Sequence, residues 1–381
     1  MITVALDYRP ALFYGFGIGR YVKNLVPAML RADPELRLKL YGVFLRNRAE
    51  TLRSHQWPKT ERATFHGAPL PARLIPWLGR FLPIGAETFT GPFDLFHDTD
   101  YALTPVRHAP RVVTLYDTAY LREGEWVSRE QSAHMARIVH KQVAEGTRFI
   151  TISEFAREEL MEAFAIPEEK IDVTYLGVDE VFLKAPERRD PEALTRLKVR
   201  DPYVLHLGTL EPRKNLVRLV KAFAHLLEVA PEFQLVLAGR PGWGSERILE
   251  VVKALGIEES VRILGRVSEA DAVQLVVNTS VMAYPSLYEG FGLPALEGMA
   301  CGVPVLTSDS HALREICRDG ALLVDPTDDQ AMAEGLRHLA LDRGAAFEIA
   351  DRGARLARKF TWDLCAQRTL TAYRKTLEER E

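Results

Sequence analysis

The stretch YPSLYEGFGLPALEGMACGVPVLTS, residues 284–308, contains the local pattern that decides the predicted fold. An apolar strand ends at Tyr284, a loop with glycines follows, and Pro294 stands where a helix would begin, since proline is favoured in the first helical turn. A second apolar strand, VPVLTS, comes after that helix. This order predicts one βαβ unit of a parallel sheet. The glycines allow close backbone approach and the helix start offers free N–H groups, which favours a phosphate-binding loop.

The same alternation of short β-rich runs and amphipathic helices extends over the whole chain, which predicts an α/β fold with parallel sheets. At 381 residues and 47% hydrophobic composition, the chain is long enough for two domains with separate cores. The predicted strands of the first half are ITVALD, LKLYGVFL, FDLFH, RVVTLYD, RFITIS and IDVTYLG. Those of the second half are YVLHLG, QLVLAG, VRILG, SVMAYP, VPVLTS and ALLVD.

The domain boundaries follow from a polar, proline-bearing segment near the middle of the chain. We predict an N-terminal domain over residues 1–185, a linker over 186–200 and a C-terminal domain over 201–360. A closing helix is expected within 361–381, starting at Thr361. Two α/β units of similar size in tandem predict a ligand cleft between them.

Composition excludes several classes of protein and partner. The formal net charge of −3 speaks against nucleic-acid binding. Cys301, Cys317 and Cys365 lack metal-ligand spacing and are odd in number, so we expect free, buried thiols in a reducing cytoplasm. The N-terminus MITVALDYRP reads as a strand rather than a signal peptide, and no apolar run approaches the ~18 residues of a membrane span. A cytoplasmic protein, at most peripheral to a membrane, is expected.

A local excess of positive charge keeps membrane contact open. Between Arg20 and Arg80 there are 12 Lys and Arg against 4 Asp and Glu. This excess suits an anionic membrane or a lipid-phosphate acceptor, with an arginine-rich exposed surface as the alternative. Overlapping its end, HGAPLPARLIPWLGRFLPIG, residues 66–85, is either an interfacial membrane segment or an ordinarily packed or acceptor-binding one, and its prolines weaken a long helix.

The glycine-rich stretch YGFGIGRY, residues 14–21, first suggests a dinucleotide-binding loop. That fingerprint is G-x-G-x-x-G between a strand and a helix. Gly15 and Gly17 fit, but the third glycine position holds Arg20, and Gly19 comes one residue early. The fingerprint therefore fails, and the loop serves another ligand or none.

A resemblance to a known family suggests which ligand this loop binds. The segment EGFGLPALEGMACGVPV resembles the E-x7-E signature of the retaining family 4 (group 1) glycosyltransferases. HLGTLEPRKNLVRLVKAF resembles their donor-domain opening, and ITISEFAREEL resembles their inter-domain region. GIGRYVKNL is similar to the N-terminal loop of a bacterial subgroup rich in polysaccharide mannosyltransferases. The resemblance covers nearly the whole chain and implies the GT-B fold, with two Rossmann-like domains facing each other across a cleft. The N-terminal domain would bind the acceptor and the C-terminal domain the nucleotide-sugar, and the helix within 361–381 would cross back to the N-terminal domain.

The resemblance also implies roles for the residues of the signature segment. Glu297 would accept hydrogen bonds from the ribose hydroxyls of the donor. Glu289 would face the transferred sugar and its phosphate-linked end. The backbone of Gly290, Phe291 and Gly292 would lie against the sugar or the phosphate.

Further donor contacts are implied by the other two motifs. Arg213 and Lys214 would neutralise the diphosphate, so that no metal ion is needed, and Gly17 would approach the same diphosphate from the opposite side of the cleft. Many relatives have arginine directly after the glycine of the donor-domain loop, where this chain has Thr209. Arg213 would supply that charge.

The first half contributes residues whose roles have clear alternatives. His97 is expected to contact the sugar or the acceptor, against a packed strand-end histidine. Many relatives have histidine where this chain has Tyr116, so that role does not carry over; Asp117 either orients an acceptor hydroxyl or, as favoured, caps a turn. Asp98 and Asp100 form a D-x-D, the metal motif of the rival GT-A fold, which the double α/β organisation disfavours.

The sequence therefore predicts a retaining, metal-independent glycosyltransferase that moves a hexose to a hydroxyl of a glycan or lipid-linked glycan. GIGRY favours mannose from GDP-mannose, with a UDP-hexose as the alternative donor. A nucleotide-sugar epimerase of the same fold and a non-catalytic nucleotide-sugar-binding protein are the remaining alternatives.

Overall fold

The structure is a computed structural model of the chain. It describes residues 1–13, 17–43, 58, 60–68, 84–101, 104–122, 126–190 and 192–380. The chain divides into two compact units. The first unit contains residues 1–177 and 361–381, and the second contains residues 178–360.

The first unit is built on a parallel sheet, which has seven strands among the described residues, in the order β3-β2-β1-β4-β5-β6-β7. The strands are β1 Thr3–Asp7, β2 Arg37–Val43, β3 Ala63–Ala68, β4 Leu95–Asp98, β5 Arg111–Thr114, β6 Arg148–Thr151 and β7 Ile171–Val173. The helices are α1 Arg9–Phe13, α2 Ile18–Ala32, α3 Ala86–Thr90, α4 Arg129–Ala144, α5 Glu154–Phe164 and, from the end of the chain, Trp362–Glu378.

The second unit is built on a parallel sheet in the order β10-β9-β8-β11-β12-β13. Its strands are β8 Tyr203–Leu207, β9 Gln234–Ala238, β10 Val261–Gly265, β11 Val281–Tyr284, β12 Val305–Ser308 and β13 Leu322–Val324. Its helices are α6 Glu180–Leu183, α7 Ala193–Leu197, α8 Leu216–Leu227, α9 Glu246–Ala254, α10 Glu269–Asn278, α11 Leu293–Ala300, α12 His311–Cys317, α13 Asp329–Leu341 and α14 Arg343–Ala357, and the last helix of the chain is α15 Trp362–Glu378 in the first unit.

All twelve predicted strands are present, because strands covered by helices on both faces carry near-continuous apolar runs that are easy to recognise. Every residue of β8, β9, β11 and β12 is buried. The sequence analysis missed one strand, β3, with the sequence ATFHGA. It is an edge strand with few apolar residues, and histidine and glycine interrupt its apolar pattern. Cys301, Cys317 and Cys365 are free and buried, as expected.

Helix α15 returns to the first unit and closes it. Thr361 caps its start by accepting a hydrogen bond from the Leu364 backbone N–H at 3.1 Å. The helix packs mainly against α2. At its far end Glu379 forms ion pairs with Arg148 and Lys170, which hold that end of the helix on the first unit.

The predicted linker over 186–200 is wrong, because that segment packs on the second unit and the chain divides between Gly177 and Val178 instead. Gln274 of α10 bonds the backbone at two positions near the start of this stretch: its Oε1 accepts from Asp190 N–H at 2.8 Å and its Nε2 donates to Arg188 O at 2.9 Å. The polar, proline-bearing composition of this stretch therefore belongs to a surface segment that Gln274 holds on the second unit, and not to a linker between the units.

The prediction of membrane contact rests largely on residues that the structure does not describe. Most of the apolar segment 66–85 and much of the basic stretch between Arg20 and Arg80 lie outside the described residues. In the part of the chain that is described, no helix has the length and apolar character that a membrane crossing requires.

Gly177, where the first unit ends, lies directly against the start of α15. A Cβ atom added to Gly177 would lie 2.3 Å from the backbone nitrogen of Trp362, and a backbone atom cannot move aside as a flexible side chain can. We expect Gly177→Ala to destabilise the first unit by about 1–3 kcal/mol, the usual cost of overpacking. Urea unfolding and limited proteolysis of α15 measure the effect.

The matched control is Gly344→Ala, because Gly344 is exposed and its added Cβ would meet only the Asp342 carboxylate, at 3.3 Å. Wild-type stability of Gly177→Ala would mean that α15 tolerates displacement from this contact.

Candidate active site

The candidate site lies where the strand order of the second sheet reverses, between β8 and β11. In open α/β sheets, ligands bind in the crevice outside the carboxyl ends of the strands at such a point. Two loops begin there: Gly208–Asn215 after β8 and Pro285–Gly292 after β11. The Leu287 backbone N–H donates to Arg213 O at 2.8 Å, which ties the two loops together. The topology thus joins two predicted motifs far apart in sequence.

The loop after β8 is held by its backbone geometry. Pro212–Lys214 form a single 3₁₀ turn, and Asn215 then takes the left-handed conformation with φ of 59°. The Asn215 side chain stabilises this backbone conformation by donating from Nδ2 to Pro326 O at 2.7 Å. This turn directs Arg213 and Lys214 toward the loop after β11.

Glu289 is the centre of the site. Its Oε1 accepts hydrogen bonds from Lys214 Nζ at 2.5 Å and from the Tyr284 hydroxyl at 2.9 Å. Its Oε2 accepts from Arg213 Nη1 at 3.1 Å. Lys214 Nζ also donates to the Tyr284 hydroxyl at 2.8 Å, so three of these side chains form a closed triangle. The structure therefore brings together three predicted site residues, Glu289, Lys214 and Arg213.

The ionisation of Glu289 follows from these contacts. Burial alone would raise the pKa of Glu289, but the charges of Lys214 and Arg213 outweigh it and lower that pKa to about 2. Burial lowers the pKa of Lys214, and the Glu289 carboxylate partly restores it. Glu289 is accordingly a carboxylate at neutral pH, which makes it a charge-positioning group and a hydrogen-bond acceptor rather than a proton donor.

Tyr284 and His206 are two members of the site that the sequence analysis did not identify. The His206 ring stacks on the Tyr284 ring with 5.6 Å between centroids and 7° between planes. His206 Nδ1 lies 3.1 Å from Ala283 O, the geometry of a donated hydrogen bond. Burial, followed by the charge of Lys214, lowers the pKa of His206 to about 3, so the ring is neutral. A histidine within the otherwise apolar strand YVLHL was the available sequence signal.

The start of α11 forms the other wall of the site. Gly292 precedes the helix with φ of 99°, in the left-handed region that favours glycine. An added Cβ at Gly292 would lie 2.4 Å from Leu313 Cδ2, so the loop is also packed too tightly for a side chain there. The Phe291 ring is buried and meets Phe360 edge-on at 6.0 Å. Gly290 is buried as well, so the predicted loop–helix junction is closely packed in the second unit.

Glu297 lies one turn into α11 and is 1% exposed. Burial, followed by the charge of Glu297, raises the pKa of the Cys301 thiol one turn further along. The two signature glutamates thus occupy the loop and the first turns of the helix that follows. The ribose contact predicted for Glu297 stays a prediction.

Gly17 lies in the first unit, immediately before α2, with φ of 59°. Among the described residues a Cβ atom added there would meet nothing within 4 Å, and the left-handed φ is the feature that favours glycine. A donor contact for Gly17 stays a prediction.

The structure does not support the sugar or acceptor contact predicted for His97. The His97 side chain is fully buried, and both ring nitrogens are used inside the first unit: Nδ1 lies 2.7 Å from the Tyr373 hydroxyl and Nε2 lies 2.8 Å from Thr114 Oγ1. Burial lowers its pKa to about 3. His97 is the packed strand-end histidine of the alternative interpretation.

The D-x-D pair is engaged by protein groups. Asp98 is buried and forms an ion pair with Arg111, while Asp100 Oδ1 accepts from the Tyr101 backbone N–H at 2.8 Å. Within the described ranges, no group of three His, Cys, Asp or Glu residues could hold a metal ion. Asp117 Oδ1 accepts from the Ala119 backbone N–H at 3.0 Å, which confirms the favoured turn-capping role.

Comparison with known proteins gives consistent relatives. Residues 189–359 match the family model described as "Glycosyl transferases group 1", and residues 17–182 match "Glycosyltransferase Family 4". O-antigen chain mannosyltransferase B of Escherichia coli is 29% identical over 374 residues, covering 94% of this chain and 96% of the relative. D-inositol 3-phosphate glycosyltransferase of Nocardia farcinica is 30% identical over 334 residues, covering 81% and 72%. The solved sucrose-phosphate synthase from Thermosynechococcus elongatus has a TM-score of 0.74 at 20% identity over 100% of both chains.

The neutral His206 predicts a pH dependence of stability. Its folded pKa of about 3 lies below the ordinary value of 6.5, so the unfolded chain binds a proton more readily. The stabilisation is full above pH 6.5 and is lost as the pH falls toward 3, by up to about 1.4 kcal/mol per pH unit. We expect His206→Phe, which keeps a stacking ring, to show a shallower loss of urea-unfolding free energy between pH 7 and pH 5.

The exposed His225→Gln variant is the control and should keep the wild-type slope. An unchanged slope in His206→Phe would mean that folding does not lower the pKa of His206.

Proposed function

Since the chain belongs to the group 1 glycosyltransferases, we propose that it transfers a hexose from a nucleotide-sugar to a hydroxyl of a glycan or lipid-linked glycan. Its two parallel-sheet units are those of the GT-B fold. The observation that carries the proposal is the cluster of Glu289, Lys214 and Arg213 beside the start of α11, at the carboxyl edge of the second sheet.

This arrangement suits a diphosphate leaving group. A helix start offers backbone N–H groups and the positive end of the helix dipole, and two basic side chains lie on the neighbouring loop. Fixed donors and charges of this kind stabilise the negative charge that develops when the bond from the sugar to the phosphate breaks. Arg213 and Lys214 take the role of a cation, and the reaction is metal-independent.

In the proposed reaction the configuration at the anomeric carbon is retained. The bond from the anomeric carbon to the phosphate oxygen breaks, and the acceptor oxygen forms its bond on the same face of the sugar. The leaving phosphate oxygen takes the proton of the acceptor hydroxyl. Glu289 stays ionised throughout, as its low pKa requires, and holds Lys214 in position.

The proposed donor is GDP-mannose, and the transferred sugar is mannose. The support is the likeness to O-antigen chain mannosyltransferase B, which spans nearly the whole of both chains. A UDP-hexose is the competing donor, and a direct comparison of donors separates the two. Peripheral contact with an anionic membrane stays a prediction.

The test is transfer from GDP-mannose to a mannoside acceptor in excess EDTA, with UDP-glucose as the competing donor. We expect transfer from GDP-mannose, retained anomeric configuration by NMR, and loss of at least ~100-fold in kcat/KM in Glu289→Gln, about 2.7 kcal/mol of transition-state stabilisation. The reason is that the neutral amide no longer holds Lys214.

Three outcomes contradict parts of the proposal. Transfer only from UDP-glucose would replace the donor, and activity that requires added manganese would remove metal independence. Conversion of GDP-mannose without acceptor would indicate an epimerase.

Glu297 provides a separate test of the nucleotide site. If its carboxylate accepts hydrogen bonds from the ribose, Glu297→Gln should weaken GDP binding by about 1.5–3 kcal/mol, the value of a charged hydrogen bond. Isothermal titration calorimetry with GDP measures this. Glu334→Gln, the same change on an exposed helix surface, is the control. Wild-type affinity in a folded Glu297→Gln variant would remove Glu297 from the site.

A further inference from the structure

Arg213 is already occupied by protein acceptors. Its Nη2 donates to Glu211 Oε1 at 2.9 Å, and its Nε donates to the same oxygen at 3.2 Å. Its Nη1 donates to Tyr288 O at 3.0 Å and to Glu289 Oε2 at 3.1 Å. A diphosphate can therefore form a bidentate pair of hydrogen bonds with this guanidinium only if one of these acceptors moves away.

The charges of the cluster lead to the same requirement. Arg213 and Lys214 carry two positive charges, and Glu211 and Glu289 carry two negative charges, so the four side chains are neutral together. A nucleoside diphosphate adds two or more negative charges. Attraction to the cluster is weak unless one carboxylate moves away from the guanidinium.

The two carboxylates differ in how firmly they are held. Glu289 is 9% exposed in its side chain, and Lys214, Tyr284 and Arg213 all donate to it. Glu211 is 22% exposed, and among the described residues its carboxylate is bonded by Arg213 through a single oxygen. Its backbone is fixed independently, because the Lys214 N–H donates to Glu211 O at 3.0 Å. Glu211 can therefore rotate its carboxylate away while the turn stays in place.

We propose that Glu211 is an internal competitor of the diphosphate: it occupies Arg213, yields this place when the nucleotide-sugar binds, and takes it back when the nucleoside diphosphate leaves. This inference rests on the proposed function of the same site. Glu211 is a specificity residue, because a nucleoside monophosphate carries less charge with which to displace it. The exchange also limits product inhibition, since the departing diphosphate is replaced by a carboxylate that is already attached to the loop.

The test is calorimetric binding of GDP, UDP and GMP to the full chain and to Glu211→Gln, which keeps the shape and a hydrogen-bond acceptor but removes the charge. We expect Glu211→Gln to bind GDP about three- to tenfold more tightly than the wild type, since a like charge beside the diphosphate is gone. The gain for GMP should be smaller, and inhibition of transfer by added GDP should become stronger in the variant.

The matched control is Asp351→Asn, which removes one carboxylate from the exposed ion pair Asp351–Arg355 on α14. It changes the net charge equally and should leave GDP affinity within about twofold of wild type, since exposed charges are screened over about 8–10 Å at moderate ionic strength. Glu211→Ala is the second variant, and it should also bind GDP more tightly than wild type.

The outcomes separate the two proposals. Failure of the wild type to bind GDP or UDP would overturn the proposed function, and this inference with it. Normal nucleotide binding by the wild type, with equal or weaker GDP binding by both folded Glu211 variants, would overturn the inference alone. Glu211 would then hold Arg213 in position for the diphosphate instead of competing with it.

Discussion

The candidate site depends on one electrostatic constraint, the burial of the Glu289 carboxylate. A charge removed from water is costly unless it is paired and hydrogen-bonded, and here Lys214, Arg213 and Tyr284 all donate to it. Because these donors come from the loop after β8 and from β11 itself, the pairing fixes two segments far apart in sequence. The neutral His206 stacks on Tyr284 and adds no charge to this balance. The rigidity of the site follows from these pairings.

Both units carry paired charges at the carboxyl ends of their strands. In the first unit Asp7 at the end of β1 is bonded by Arg9 at 2.7 Å, and Asp98 at the end of β4 pairs with Arg111. In each sheet the strand order reverses there, between β1 and β4 and between β8 and β11. In the second unit a glycine-bearing loop and the start of α11 lie beside the charges, and this combination suits a phosphate.

The sequence was sufficient for elements with strong local patterns and insufficient where distant residues decide. The buried strands were predictable because apolar runs identify them. Specific motifs pointed to Glu289, Lys214 and Arg213, which the structure brings together, and their contacts with a donor stay predictions. His97 was assigned wrongly because its partner Tyr373 lies at the other end of the chain, and no local pattern reveals that contact. His206 was missed for a related reason, since only the pairing of β8 with β11 places it on Tyr284.

The first unit is discontinuous, and this affects the synthesis of the protein. Helix α15, which covers His97 and packs on α2, is translated only after the whole second unit, residues 178–360. At ~5–20 residues per second, the nascent first sheet leaves the ribosome on the order of ten seconds or more before its last helix exists. During that interval the apolar face that α15 later covers remains exposed. We therefore expect chaperones to bind the first unit more than the rest of the nascent chain. The second unit is continuous in sequence and needs no distant later segment to complete its fold.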